Sequence, residues 1–276
     1  MIRIGIVGTG NIVGISHFHT LGLLCDGRAE ITAVYDTRMD GAREWAAQHG
    51  LNCRVCGSFE EMLDYVDAVN ICVPNAFHCD YALRAIKAGK HFLVEKPMAV
   101  QIEDCRKLAA ACAEYGKTNM VGFVYRFSNA VQQARKIVRE QIGDVYTLSA
   151  WFGGKRLADP SIDLEWRMVR KRSGSGALGD FGSHLVDLAD YVAGQRYSEV
   201  NCFADTFIRE RNFGGVMTPV ENDDAAAFIA RGSNGIGSYT ASRVGMDDVM
   251  VLVTGCGGML QLSLRSPQSV TYWEKK

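Results

Sequence analysis

The stretch Asp67–Met98, DAVNICVPNAFHCDYALRAIKAGKHFLVEKPM, predicts the fold of the first half of the chain. It begins with Ala68–Val73, a short apolar run that is typical of a strand buried in a parallel sheet. Apolar residues then recur at helical spacing over His78–Ala88, and Gly89 stands where a helix commonly ends. A second apolar run, His91–Val94, follows at once. The pattern therefore predicts a strand, a helix and a second parallel strand.

The second of these strands leads directly into Glu95, Lys96 and Pro97. Open α/β sheets bind ligands at the carboxyl ends of their strands. A lysine held there and partly desolvated can lose its proton near neutral pH or stabilise a developing alkoxide. The alternative is that Lys96 is an ordinary surface lysine at a strand end.

A glycine turn stands near the start of the chain, after the apolar strand Ile2–Val7. In Gly8-Thr9-Gly10-Asn11-Ile12-Val13, the first two glycines allow a tight turn and the close approach of a pyrophosphate, whose charge is met by backbone N–H groups. Val13 replaces the third small residue of the usual pattern. A strand before the turn and a predicted helix over Ile12–Cys25 give the context that supports a dinucleotide-binding turn.

Asp36 follows the second predicted strand, Glu30–Tyr35, about 20 residues after the glycine turn. A carboxylate at this position can bind the ribose 2′-hydroxyl of NAD and would repel a 2′-phosphate. Arg38 nearby could accept NADP, so NAD is favoured and NADP is the alternative. Asp36 could also be the N-cap of the helix predicted over Arg38–Gln48. The alternation of strands and helices through residue 121 predicts an α/β, doubly wound parallel sheet.

The composition excludes several classes of protein. The length of 276 residues favours two domains, and a formal net charge of −1 gives no indication of binding to nucleic acid. Nine cysteines, with no signal peptide, predict reduced thiols in the cytoplasm. The one close pair, Cys53-x-x-Cys56, lacks the further ligands of a zinc site, so no metal is predicted. No apolar run is long enough to span a membrane.

In the second half of the chain, the stretch Leu178–Val192 contains side chains that could take part in catalysis. Asp180, His184, Asp187 and Tyr191 recur at helical spacing, so they share one face of the predicted helix. A single histidine on a helix is more often structural. An Asp–His pair beside the glycine-rich residues 153–176, which we interpret as a loop over an active site, favours a chemical role.

The chain resembles the Gfo/Idh/MocA family of oxidoreductases. The resemblance rests on five motifs: Gly8-x-Gly10, Pro74-Asn75-x-x-His78, Ala88-Gly89-Lys90-His91, Glu95-Lys96-Pro97 and Gly176-Ala177-Leu178-Gly179-Asp180-x-Gly182-x-His184. It implies a Rossmann domain over residues 1–121 and, over residues 122–276, an α+β domain with an open, mostly antiparallel sheet. It also implies a catalytic Lys96 and a cis Lys96–Pro97 peptide bond.

The resemblance completes the set of predicted site residues. The catalytic residues are Lys96, His184 and Asp180. The cofactor-binding residues are Gly8, Gly10, Asn11, Ile12, Asp36, Arg38, Val73, Pro74, Asn75, His78, Glu95, Lys96, Trp166 and Arg167. The substrate-binding residues are Tyr125, Arg126 and Asp187. Arg126 could instead be structural, and Trp166 could simply pack in the core.

The predicted function is transfer of a hydride between NAD, or NADP, and a secondary alcohol of a sugar, inositol or related polyol. His184 would be the base, Lys96 would stabilise the oxygen, and Asp180 would orient the pair. A non-catalytic NAD(P)-binding sensor and an NAD-dependent glycosidase are the alternatives. Family members commonly continue for several tens of residues more, so the chain is expected to be truncated or to lack those elements. A homo-oligomer is also predicted, because an apolar sheet face would otherwise meet water.

Overall fold

The first half of the chain forms a six-stranded, wholly parallel sheet in a computed structural model that describes residues 1–19, 21, 27–265 and 267–275. Its strands are β1 (Ile2–Val7), β2 (Ala29–Tyr35), β3 (Arg54–Val55), β4 (Ala68–Ile71), β5 (His91–Val94) and β6 (Asn119–Val121). Their order, β3-β2-β1-β4-β5-β6, reverses direction at β1 and β4. Ligands bind at such a reversal in doubly wound sheets.

The described residues between these strands form the helices α1 (Val13–Phe18, wound as a π-helix), α2 (Met39–Gln48), α3 (Phe59–Leu63), α4 (His78–Lys87) and α5 (Ile102–Tyr115). The predicted end of the first helix at Cys25 lies outside the described residues. Neighbouring residues of β1 contribute to different buried clusters, Ile6 to one and Val7 to the other. The sheet is therefore covered on both faces, which explains its near-continuous apolar strands.

The last strand of this sheet, β6, is only three residues long. It stops at Val121, and Val124–Phe127 forms a 3₁₀ turn instead. This turn carries two of the predicted substrate residues, Tyr125 and Arg126. The chain divides into two compact units at this point, Met1–Gly122 and Phe123–Lys276.

The second unit contains a seven-stranded sheet. Its strands are β7 (Val145–Gly153), β8 (Tyr197–Asp205), β11 (Ala225–Gly232), β12 (Ile236–Ser242), β13 (Asp248–Gly255), β14 (Gly258–Ser263) and β15 (Ser269–Glu274), in the order β15-β14-β13-β7-β12-β11-β8. Every neighbouring pair is antiparallel except β7 and β12. A separate hairpin of β9 (Glu210–Phe213) and β10 (Val216–Pro219) was not predicted.

The described residues of this unit also form three α-helices: α6 (Asn129–Ile137), α7 (Arg170–Ser173) and α8 (Ser183–Ala193). Buried residues alternate along β11, β12 and β13, so one face of the sheet packs into a core with α6 and α8. Phe203 and Ile229, which pack in no core cluster, are 80% and 59% exposed. The predicted fold class, a Rossmann sheet followed by an open, mostly antiparallel sheet, is confirmed.

A search of the described helices found none that combines the length and the apolar character needed to cross a membrane.

Candidate active site

The glycine turn is held against the ends of β2 and β4, the two strands on either side of β1. The Gly8 N–H donates to the Tyr35 carbonyl at 2.8 Å. Gly8 has a φ of +85°, and a Cβ there would lie 2.7 Å from the carbonyl oxygen of Cys72, just after β4. Only glycine fits this position, because both the conformation and the close approach exclude a side chain. At Gly10 a Cβ would meet no atom within 4 Å, so the turn is open on that side.

The carboxylate of Asp36 reaches back to the glycine turn. Its Oδ2 accepts from the Thr9 N–H at 2.9 Å and from the Thr9 hydroxyl at 3.1 Å, and its Oδ1 accepts from the Arg38 N–H at 2.9 Å. Arg38, not Asp36, occupies the N-cap position of α2, so the N-cap interpretation of Asp36 is wrong. The Arg38 side chain is 79% exposed and lies 3.9 Å from the carboxylate.

His78 is buried between two backbone segments. Its Nδ1 lies 2.7 Å from the Pro97 carbonyl oxygen, and its Nε2 lies 2.8 Å from that of Val73. Burial lowers the pKa of His78, although the two carbonyls oppose this shift. The ring is only 1% exposed, so it braces the ends of β4 and β5 instead of presenting itself to solvent. Pro74 and Asn75, between these braced segments, are half-buried.

Glu95 is buried as well, and it binds a residue that was not predicted. Its Oε1 lies 2.6 Å from His17 Nε2, and its Oε2 accepts from the Lys96 N–H at 3.2 Å. Lys96 itself is half-buried, and the Lys96–Pro97 peptide bond is cis. His17 belongs to α1, which begins at the glycine turn. A carboxylate predicted to bind the cofactor is thus directed into the protein.

In the second unit, Asp180 and His184 lie on one continuous helical segment. Leu178–Gly182 is a π-helical turn, and α8 follows it directly. The Asp223 carboxylate caps the start by accepting from the Gly176 N–H at 2.7 Å and the Leu178 N–H at 2.8 Å. A Cβ at Gly176 would lie 1.8 Å from the Asp223 carbonyl oxygen. The glycine of this motif is therefore required by the close approach of another chain segment.

Aromatic rings surround His184, which is 6% exposed. The ring centroids of Tyr125, Phe123 and Phe152 lie 4.9, 5.8 and 5.8 Å from that of the imidazole. Burial and the negative charge of Asp180 raise the pKa of the Tyr125 hydroxyl. The predicted Tyr125, Asp180 and His184 are thus gathered in one environment.

Arg126 and Asp187 bind each other. Arg126 Nε lies 3.0 Å from each oxygen of the Asp187 carboxylate, and the Arg126 side chain is 39% exposed against 5% for Asp187. Burial raises the pKa of Asp187 even though the guanidinium opposes it. This geometry satisfies the carboxylate within the protein, whereas one edge of the guanidinium remains accessible.

Trp166 and Arg167 lie in a 3₁₀ turn that is held by its backbone. The Arg167 carbonyl accepts from Ser173 Oγ at 3.0 Å, Asn222 Nδ2 at 2.9 Å and Arg243 Nη1 at 3.1 Å. The Arg167 guanidinium lies 4.5 Å from the centre of the Trp166 ring. Both side chains are half-buried. The backbone of the pair is therefore fixed by these hydrogen bonds, while part of each side chain stays accessible to solvent.

Arg211, another residue that was not predicted, organises the segment before this turn. It is 1% exposed and donates to the carbonyls of Asp159 at 2.7 Å and Ile162 at 3.1 Å, and to that of Leu157. Residues 153–176 therefore form an ordered loop with a buried cation at its centre. The described residues contain no group of three or more metal-ligating side chains.

Family models match both halves of the chain. Residues 2–123 match a family model described as an oxidoreductase family with an NAD-binding Rossmann fold, and residues 131–261 match the GFO/IDH/MocA C-terminal domain. The chain belongs to the Gfo/Idh/MocA family. It also resembles the solved structure of an oxidoreductase domain protein from Kribbella flavida, with a TM-score of 0.92 and 30% identity over 99% of this chain and 77% of that one.

Two of the similar proteins are dehydrogenases that are named for sugars. Levoglucosan dehydrogenase of Pseudarthrobacter phenanthrenivorans is 34% identical over 64% of this chain and 50% of the relative. D-glucoside 3-dehydrogenase of Escherichia coli is 32% identical over 70% of this chain and 54% of the relative. A levoglucosan dehydrogenase structure with NADH and L-sorbose has a TM-score of 0.89 and 25% identity over 100% of this chain and 80% of that one. The chain spans about half the length of the curated relatives it matches.

Proposed function

We propose that the chain is an NAD-dependent oxidoreductase that acts on a secondary alcohol of a sugar, inositol or related polyol. One observation carries the proposal: the glycine turn, Asp36 and the Glu95–Lys96–Pro97 turn meet the carboxyl edge of one parallel sheet. Parallel sheets bind dinucleotides at this edge, near the reversal of strand order. Lys96 stands there as a half-buried cation.

The residues at this edge fit NAD. The open space at Gly10 leaves room for a pyrophosphate beside the backbone N–H groups that begin α1. A carboxylate offers about four lone-pair positions, and Asp36 uses three of them on Thr9 and Arg38. The fourth can accept a ribose hydroxyl. The same carboxylate disfavours the 2′-phosphate of NADP, although the exposed Arg38 would attract it.

The cofactor-binding set that we propose includes Asn11, Ile12, Val73, Pro74 and Asn75 at this edge. We add His78 and Glu95 to this set. Both are buried, so they would support the cofactor-binding backbone and not contact NAD directly. NAD, when bound, supplies the hydride acceptor.

The chain's own residues would handle the proton and the oxygen of the substrate. His184 accepts the hydroxyl proton on an imidazole nitrogen, and the ammonium of Lys96 stabilises the alkoxide oxygen. Asp180, one helical turn before His184, would stabilise the resulting imidazolium.

The second unit supplies the proposed substrate contacts. Tyr125 and the accessible edge of Arg126 offer aromatic surface and donors of the kind that bind sugar hydroxyls. The Trp166–Arg167 pair belongs to the proposed cofactor-binding set. Asp187 would act through Arg126, since its carboxylate is bound to that guanidinium. The substrate class rests on the relatives, which are named for levoglucosan, D-glucosides and inositol.

We further propose that residues 1–121 bind the cofactor and residues 122–276 bind the substrate and further copies of the chain. The exposed apolar residues Val200, Phe203 and Ile229 support a homo-oligomer. The eight described cysteines are free thiols, which supports a reducing, cytoplasmic setting. The near-neutral net charge supports the proposal that the chain does not bind nucleic acid.

The experiment combines binding with turnover. NADH and NADPH are titrated by fluorescence, and NAD reduction is then followed with levoglucosan, a D-glucoside and myo-inositol. The proposal expects tighter binding of NADH than of NADPH and turnover of at least one sugar or polyol. Binding without turnover across a broad polyol panel would refute the catalytic proposal, and failure to bind either nucleotide would refute the cofactor site.

A further inference from the structure

We propose that His17 is a positioning residue for Lys96, acting through the buried Glu95 carboxylate. This proposal rests on the proposed function, because the proposed function gives Lys96 its role in catalysis. It concerns contacts that lie wholly within the first unit and that connect the start of the cofactor-binding helix to the turn that carries the lysine.

A polar chain runs from β4 through α1 to the end of β5. Asn70 Nδ2 lies 3.5 Å from His17 Nδ1, and His17 Nε2 lies 2.6 Å from Glu95 Oε1. Because an amide nitrogen can only donate, His17 Nδ1 is the acceptor in this arrangement. The proton of a neutral imidazole then lies on Nε2 and is donated to Glu95.

Glu95 needs this donor because it is buried. Its side chain is 11% exposed and that of His17 is 8% exposed. A carboxylate at such depth is strongly destabilised unless hydrogen bonds satisfy it. His17 donates to one oxygen and the Lys96 N–H to the other. The Lys96 backbone is therefore held by a carboxylate that is itself held by His17.

The neighbouring backbone leaves Glu95 little room to move. A Cβ at Gly122 would lie 3.2 Å from Glu95 Oε1. On the other side of the lysine, His78 contacts the Pro97 carbonyl at 2.7 Å. Lys96 is thus positioned from both sides, by Glu95 before it and by the His78 brace after it. Removing the His17 donor would release the first of these two supports.

The test uses matched variants of His17. His17→Phe keeps an aromatic ring, slightly larger than imidazole, but removes the donor. His17→Gln places an amide N–H near the position of Nε2. We expect His17→Phe to lower kcat by about 10- to 100-fold, since small misplacements of a catalytic group have effects of this size. The NADH Kd should stay within about threefold, because Gly8, Gly10 and Asp36 are unchanged. His17→Gln should restore most of the lost turnover.

A double-mutant cycle tests whether His17 acts through Glu95. If it does, His17→Phe combined with Glu95→Gln should lower kcat little further than Glu95→Gln alone. Additive losses would overturn the proposal. If His17→Phe does not fold, His17→Asn takes its place, because asparagine can still meet Asn70 but is too short to reach Glu95.

A second measurement needs no turnover. The rate at which an amine-reactive acylating reagent labels Lys96 is compared with the rate at the exposed Lys87 of the same molecule, by mass spectrometry. The ratio should change by about threefold or more in His17→Phe and stay near the wild-type value in His17→Gln. An unchanged ratio in a folded His17→Phe protein would overturn the positioning role. If wild type turns over no polyol, the proposed function fails, while this ratio still tests the positioning role.

Discussion

Alanine substitutions at the two glycines of the turn should separate folding from cofactor binding. Gly8 has a φ of +85° and its Cβ would lie 2.7 Å from the Cys72 carbonyl oxygen. The left-handed conformation costs alanine about 1–2 kcal/mol, and the forced contact about 1–3 kcal/mol. Gly8→Ala should therefore lower the free energy of unfolding by about 2–5 kcal/mol, a large part of the stability of a typical domain.

Gly10→Ala should leave folding nearly unchanged, because a Cβ at Gly10 meets nothing within 4 Å. Its free energy of unfolding should stay within about 1 kcal/mol of wild type. The added methyl group would, however, occupy the space that we assign to the pyrophosphate. Overpacking of about 1–3 kcal/mol corresponds to an NADH Kd that is weaker by about 5- to 150-fold.

Urea unfolding followed by far-UV circular dichroism, hydrogen exchange of peptides that cover β1, and NADH fluorescence titration measure these effects. Gly50→Ala is the matched control, since Gly50 has a φ of +62° and no neighbour within 4 Å of a Cβ. It should lose only the conformational contribution and bind NADH normally. Wild-type NADH affinity in Gly10→Ala would refute the placement of the pyrophosphate, and equal stabilities of Gly8→Ala and Gly50→Ala would refute the role of the carbonyl contact.

Three further outcomes are expected. Lys96→Ala should lower kcat by about 10²–10⁴-fold in NAD-reduction assays, while NADH binding persists. The control variant Lys87→Ala, on the exposed side of α4, should behave as wild type. Full turnover by Lys96→Ala would exclude a catalytic role for Lys96. The Arg3 guanidinium lowers the pKa of Asp67 to about 2, so this carboxylate stabilises the fold above its unfolded pKa of about 3.9 and loses that contribution as the pH falls towards 2. Asp67→Asn should therefore cost about 0.2–1 kcal/mol at pH 7, as for an exposed pair, and nothing once the pH is well below the folded-state pKa of about 2. Urea unfolding across pH measures this, and a difference that persists in such acid would contradict the ion pair as its cause. Arg211→Met should lower the free energy of unfolding by about 2–4 kcal/mol and raise the KM for the polyol, because three loop carbonyls lose their donor; an unchanged KM would separate this loop from substrate binding.

The parallel sheet could be predicted because its signals are local. Each buried strand is a short apolar run that is followed within a few residues by a glycine, a proline or a charged residue, as Val94 is followed by Glu95 and Pro97. The alternation of strands with helices then restricts the topology to a doubly wound sheet. The two-residue β3 escaped prediction because it is too short to show any period.

The second sheet could be predicted as strands but not as an arrangement. Its pairing joins β7 to β12 and β13, about a hundred residues later in the chain, and no local pattern specifies such a partner. The β9–β10 hairpin, in contrast, did carry a signal. Gly214-Gly215 separates Glu210–Phe213 from Val216–Pro219, and two glycines between short strands favour a tight hairpin turn.

The predicted site residues whose placement differs most from expectation are the charged ones. The family resemblance implies that Glu95 binds the cofactor, yet its side chain is buried against His17, 78 residues earlier in the chain. In the same way, Asp187 was assigned to the substrate but binds Arg126. A carboxylate at the end of a buried strand has either solvent or a donor from a packed helix as its partner, and the sequence shows only that one of the two must exist.

The position of His17 could have indicated which alternative holds. It lies four residues after Val13, which is fully buried, so both face the same side of α1 and pack towards the sheet. A histidine on the inward side of the helix that follows a glycine turn needs a polar partner at the sheet edge, because burying an unpaired imidazole is costly. Asn70 and Glu95 are polar residues on or beside the central strands β4 and β5. Polar residues on such strands, taken together with the inward face of the first helix, therefore predict a polar network beside Lys96.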